Sequence, residues 1–256
     1  MTDTITTSRP LATYLVRHGD DNLVLAQRLA EYISWAPELE EDLAVANIAL
    51  DHLGVAHHLL TYAATVEGDG RDADALAFLR SEREFTNLLL VERPNDDFAV
   101  IMVRQFLFDA YQVPLWEALE RSADPTLAGI AAKALKEARY HLRHSRNWVV
   151  TLGDGTAESH RRTQQALDEL WRFTGELFAG DELDAAMTTA GIGVDPASLE
   201  APWRRTVLAV IAEATLSEPD DTTVRVGGRS GFHTEALGHM LAEMQWLQRS
   251  YPGLAW

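Results

Sequence analysis

Ala134-Leu135-Lys136-Glu137-Ala138-Arg139-Tyr140-His141-Leu142-Arg143-His144 reads as the middle of a helix that turns ligand-like side chains toward the inside of a bundle. In metal proteins built on four helices, two of the helices each bring a Glu-x-x-His pair inward, because residues three apart share one helix face. His141 stands where the histidine of such a pair belongs, and the position three before it is Ala138. An alanine offers no donor atom to a metal. The stretch is therefore either a metal site in a shifted frame or the remnant of one.

Outward from this stretch the chain reads as helices joined by turns. The expected helices run over about 10–34, with Pro10 in the first turn and an irregularity at Gly19, and over about 37–66. The second follows Trp35-Ala36-Pro37, carries Leu43, Ala46, Ala49, Leu50, Leu53, Ala56 and Leu60 on its buried side, and is closed by Gly68-Asp69-Gly70. A third stretch spans Ala73 to about Leu90, and a fourth spans about 97–122, with Pro114 inside it. Ala123-Asp124-Pro125 is a capped start for the fifth, which contains the opening stretch and ends near Gly153-Asp154-Gly155. Further helices are expected over about 157–179, 181–190, 197–217 and 233–250, with a long loop over 218–231. Strand alternation and internal repeats are missing from the sequence. The expected class is all-α, a four-helix core with flanking helices, in a single domain spanning 1–256 with a polar tail over about 1–9.

Composition narrows the chemistry. Apolar residues make up 46% and charged residues 24%, as in ordinary soluble domains. With no cysteine, disulfides, thiolate metal sites and cysteine nucleophiles are all excluded, so any metal would be held by His, Asp or Glu. A net charge of −17 argues against nucleic acid or an anionic membrane as partner. The N-terminus lacks the basic start and apolar run of a signal peptide, which points to the cytoplasm.

Several other clusters invite functional readings. His52, His57 and His58 share one helix, and His141 and His144 share another, but no HExxH occurs. His233, Glu235, His239 and Glu243 gather in the last helix, where capping and pairing explain the acids as well as metal binding does. Gly227, Gly228 and Gly231 with Arg225 and Arg229 offer a weak phosphate cradle that matches no nucleotide-binding pattern, or a loop that docks on an acidic partner. Asp20-Asp21 and Asp96-Asp97 read as solvated acids at turns and caps.

A di-iron carboxylate centre needs four carboxylates and two histidines. With Ala138 and His141 as one frame, the matching pair on the second helix is His52 and Val55. The single carboxylates, about thirty residues upstream, fall at Asn22 and Asp109. Of these six, Asp109 and His141 are ligands of the expected kind. His52 stands where an acid is wanted, and Asn22, Val55 and Ala138 remove most of the charge that would hold ferrous ions. No catalytic, cofactor-binding or metal-binding residue is assigned on this reading.

Four motifs then carry a resemblance: Gly19-Asp20-Asp21-Asn22-Leu23-Val24-Leu25-Ala26-Gln27-Arg28-Leu29, Phe85-Thr86-Asn87-Leu88-Leu89-Leu90-Val91-Glu92, Lys136-Glu137-Ala138-Arg139-Tyr140-His141-Leu142-Arg143 and Leu241-Ala242-Glu243-Met244-Gln245. Together, in this order from about residue 11 to Trp256, the chain resembles the C-subunit family of bacterial phenylacetyl-coenzyme A epoxidases. The resemblance implies a ferritin-like fold and a part in the ring 1,2-epoxidation of phenylacetyl-CoA during aerobic phenylacetate breakdown. It further implies a non-catalytic subunit with no cofactor of its own, bound to a di-iron catalytic A subunit and served by a reductase. Phenylacetyl-CoA would be met only through that partner. Polar pairing among Lys136, Glu137, Arg139, Asp109 and His141, or hydration, would then fill the old site. The alternative is a ferritin-like metalloenzyme, di-iron or mononuclear, active in its own right through His52, Asp109 and His141, with His144 or Glu137 in a shifted frame.

Overall fold

The computed structural model describes the backbone of residues 3–220 and 223–253, and side chains from residue 9 onward within those limits. Asp221 and Thr222 of the expected loop, the first two residues of the expected tail, and Trp256 at the end of the resemblance lie outside the described residues. Among the described residues there are ten α-helices, four short 3-10 turns and no strand. The helices are α1 (Asp3–Ala30), α2 (Leu39–Glu67), α3 (Ala73–Phe78), α4 (Phe98–Leu119), α5 (Pro125–Gly153), α6 (Ala157–Trp171), α7 (Glu182–Thr189), α8 (Glu200–Glu213), α9 (Glu235–Met244) and α10 (Trp246–Ser250). The class is the expected all-α, ferritin-like one. The chain divides into two compact units, one made of the residues up to Pro94 with those from Gly227 onward, the other of Asn95–Val226.

In the first unit α1 and α2 pack as a pair over most of their length, and the short link between them makes them antiparallel neighbours. Gly19 faces α2, where a Cβ would stand 2.8 Å from Leu60 Cδ2, so the expected irregularity is instead a contact point in a continuous helix. The polar tail is also corrected. The helix begins at Asp3 and Pro10 lies inside it. A proline costs one ladder bond, and the buried run of Leu11, Ala12, Tyr14 and Leu15 holds the helix past that loss. Helix α2 starts after an extended Glu38, with Glu40, Glu41 and Asp42 at the positive end of its dipole. It stops at Gly68, whose φ of +67° suits a residue without a side chain.

The buried face of α2 is only in part the one expected, holding for Ala49, Ala56 and Leu60 and failing for Leu43, Leu50 and Leu53. Val45, Ile48, Ala49, His52, Val55, Ala56, Leu59 and Leu60 are buried, whereas Leu43, Leu50 and Leu53 are exposed. Both faces are apolar, so periodicity alone does not choose between them. By length and composition α2 is also apolar enough to cross a membrane, but ten of its side chains are buried inside the protein.

The third expected helix is real only over its first two turns. Beyond Phe78 the chain makes a 3-10 turn at Glu82–Glu84 and then runs as irregular backbone. Phe85 and Leu88 to Val91 are buried all the same. Buried backbone outside a helix needs partners, and Asp20 and Asp21 of α1 supply them. Asp20 Oδ2 accepts from the Thr86 N–H at 2.9 Å, and Asp21 Oδ1 accepts from the Leu88 N–H at 2.8 Å.

In the second unit α4 and α5 form the long pair. Asp97 caps α4 by accepting from the Val100 N–H, and Asp124 caps α5 by accepting from the Leu127 N–H, with Pro125 in the first helical position. Pro114 lies inside α4 as expected. The sixth expected helix ends early, at Trp171, and continues as a 3-10 turn over Thr174–Phe178. There Trp171 and Phe178 pack on Trp203 of α8 with ring centroids 5.6 and 5.2 Å away, and the Trp203 indole donates to the Leu107 carbonyl at 2.9 Å.

Candidate functional site

The sequence-derived frame divides between the two units, and each half is built in a different way. In the first unit Asn22 of α1 and His52 of α2 are buried and bonded to each other, His52 Nδ1 lying 2.8 Å from Asn22 Oδ1. The Asn22 amide nitrogen donates back along its own helix to the His18 carbonyl at 2.9 Å. A neutral amide stands where a carboxylate is wanted, and its polar atoms are satisfied inside the protein. Val55, the second frame position on α2, is buried and supplies only methyl groups. His18, one turn before Asn22, is pushed well below the usual histidine range by burial and by Arg229 and Arg17, so it adds no positive charge here.

In the second unit Asp109 of α4 is fully buried. Its Oδ1 accepts from the Gln105 amide at 2.7 Å and its Oδ2 from the Ser145 hydroxyl at 2.7 Å. The Asp109 carboxyl is raised from 3.8 to about 6: burial drives the rise, and the nearby His141 and the two hydrogen bonds offset only part of it. Ser145 Oγ also lies 3.0 Å from the His141 carbonyl. The ionised carboxylate accepts a hydrogen bond from the Ser145 hydroxyl, whereas the protonated acid can donate to Ser145, whose hydroxyl then donates to the His141 carbonyl. His141 is buried on the same face of α5, and Ala138 one turn before it is buried and offers no donor.

Gln105 and Ser145 were missed at the sequence level. The available signal was spacing, since Gln105 precedes Asp109 by four residues and Ser145 follows His141 by four, placing each on the inward face. The expected pairing of Lys136, Glu137 and Arg139 with Asp109 and His141 is corrected. Lys136 and Arg139 are exposed, Arg139 pairs with Glu117 at 2.8 Å, and Glu137 lies 3.9 Å from Lys133.

Two other expectations change. Asp20 and Asp21 are fully buried rather than solvated: Asp20 pairs with Arg80, and Asp21 with Arg229 at 2.8 Å. Burial raises the Asp21 carboxyl, and Arg229 and the Leu88 N–H oppose the rise. With Arg229 held by Asp21 and by the Arg17 and Thr86 carbonyls, the glycine segment is no phosphate cradle. Gly228 and Gly231 are there because a Cβ would fall 2.0 Å from the Asn87 carbonyl oxygen and 2.4 Å from that of Arg83. His233 is also committed, with Nδ1 2.9 Å from Glu92 Oε2 and Nε2 2.9 Å from the Phe85 carbonyl. Glu235, His239 and Glu243 of α9, like His57 and His58 of α2, are exposed, and Asp97 has the capping role expected of it.

The donor set does not fit a di-iron carboxylate centre. Such a centre takes four carboxylates and two histidines. The positions that would hold it supply one carboxylate, already bonded through both oxygens, with two histidines, an amide and two alkyl side chains.

Comparison with known proteins identifies the family of the chain. Over 246 residues the chain is 56% identical to the C subunit of the 1,2-phenylacetyl-CoA epoxidase of Escherichia coli (strain K12), a match that covers 96% of this chain and 99% of that protein. The family model described as "Phenylacetic acid catabolic protein" matches residues 2–256. The all-α chain with its paired long helices is thus a member of the phenylacetic acid catabolic protein family.

Proposed function

We propose that this chain is the structural, non-catalytic subunit of a phenylacetyl-CoA 1,2-epoxidase, a single ferritin-like module that pairs with the di-iron catalytic subunit in the cytoplasm. A reductase would feed electrons to that partner, and the acyl-CoA would reach this chain only through it. The observation that carries the reading is the pair of buried alkyl side chains, Val55 and Ala138, at positions where a metal centre needs donors. The engagement of Asp109 by Gln105 and Ser145 and of Asn22 by His52 supports it, because each polar remnant is hydrogen-bonded by side chains of the protein itself.

Metal analysis tests this directly. Purified alone after expression in iron-rich medium, the chain should carry well below one iron per molecule, and co-expression with the catalytic subunit should yield a stable active assembly. Stoichiometric iron on the isolated chain, lost together with activity in His141→Ala, would overturn the reading in favour of a metalloenzyme active in its own right.

A further inference from the structure

Helix α2 carries two apolar faces, and the protein uses one. The second consists of Leu39, Leu43, Ala46, Leu50 and Leu53; the four leucines are 70%, 58%, 63% and 46% exposed, and Ala46 is half-buried. Their spacing is four, three, four, three, the 3.5-residue repeat by which one helix seats knobs into the holes of another. A stripe of this regularity is not the scatter of single apolar residues that surfaces normally show. Trp35, in the link four residues before Leu39, is 76% exposed.

The charges beside the stripe restrict what can cover it. Glu40 and Asp42 flank its first turn in the positions that set partner choice in paired helices, and Glu38 and Glu41 add to the acidic end. From Leu39 to Glu67 there is no lysine or arginine. A second copy of this helix therefore has no such cation to offer, and a net charge of −17 opposes self-association generally. An anionic membrane is disfavoured on the same ground, since helices that lie on membranes carry lysine and arginine on their polar face.

We infer that the Leu39–Leu53 face of α2 is a docking seam for an amphipathic helix of the catalytic partner subunit, one with its own leucine-type stripe and lysine or arginine beside it. This deepens the proposed function and rests on it. The seam would make the partner's helix a neighbour of α2 on the side opposite Val45, Ile48 and Val55.

The test uses the full chain co-expressed with the catalytic subunit. Leu43→Glu/Leu50→Glu should weaken the assembly about a hundredfold, from the loss of two buried leucines, while the isolated variant keeps the helical circular dichroism and melting temperature of the wild type. Leu79→Glu, an equally exposed leucine away from the stripe, should assemble normally. A photo-crosslinking residue at position 50 of the otherwise unaltered chain should join a basic-flanked helix of the catalytic subunit, a readout independent of how the double variant folds. Unchanged assembly of the double variant with no crosslink from position 50 would overturn the seam and leave the proposed function standing. Failure of the wild-type chains to assemble at all would instead overturn the proposed function. A wild-type dimer of this chain that Leu43→Glu/Leu50→Glu converts to monomer, or vesicle binding that the variant abolishes, would overturn the chosen occupant.

Discussion

Replacing Asp109 by asparagine isolates what a buried carboxylate costs this protein. Folded, the Asp109 carboxyl titrates at about 6 against an ordinary value of 3.8. A folded value above the unfolded one means that the native state binds the proton more tightly, so stability is greatest below 3.8 and falls as pH rises through 6. Above pH 8 the penalty is about 3 kcal/mol, at 1.36 kcal/mol per pH unit. Between pH 5 and pH 8 the expected loss is about 1.4 kcal/mol, because at pH 5 the unfolded chain is already ionised and the native one is not. The amide introduced by Asp109→Asn would keep the hydrogen bonds: its oxygen can accept from Gln105, and its nitrogen can donate to Ser145, which turns to the His141 carbonyl. Urea unfolding followed by tryptophan fluorescence at half-unit steps from pH 5 to 8 should show the gap between Asp109→Asn and wild type widening by about 1.4 kcal/mol in favour of the variant. Parallel stability curves across that range would refute the assignment of the penalty to Asp109.

Three further outcomes are expected. Gly228→Ala should destabilise the protein by about 2 kcal/mol or more, since its Cβ would overlap a backbone oxygen, whereas Gly129→Ala in open space on α5 should stabilise it by roughly 0.5–1 kcal/mol; paired denaturant titrations read both. His233 is enclosed, and burial alone would lower its pKa, but hydrogen bonds to Glu92 and the Phe85 carbonyl outweigh burial and raise it above 6.5. Its contribution is present below 6.5 and fades as pH rises through the folded value, so His233→Gln should cost about 2 kcal/mol at pH 6 and less at pH 9 in thermal or urea melts.

The helical class, the caps at Asp97 and Asp124 and the stop at Gly68 were legible because each is a local matter of which residue accepts from the next turn or tolerates a left-handed backbone. The donor-poor frame at Asn22, His52, Val55, Asp109, Ala138 and His141 was legible for the same reason, since side-chain chemistry and helical spacing are both written in the chain. Its hydrogen-bond partners were only partly legible, because Gln105 and Ser145 differ little in sequence from polar surface residues until burial is known.

What the sequence by itself determined is thus where helices form and which donor atoms the inward positions lack. Only the tertiary structure decided which of two apolar faces of α2 is buried, that Asp20 and Asp21 serve the backbone of Thr86 and Leu88 inside the protein, and that Phe85–Val91 packs without becoming a helix. The physical reason is common to all three. A leucine stripe, a carboxylate and an apolar run have no preference between alternatives until a partner distant in the chain supplies the packing surface or the hydrogen bond that lowers the free energy of one of them.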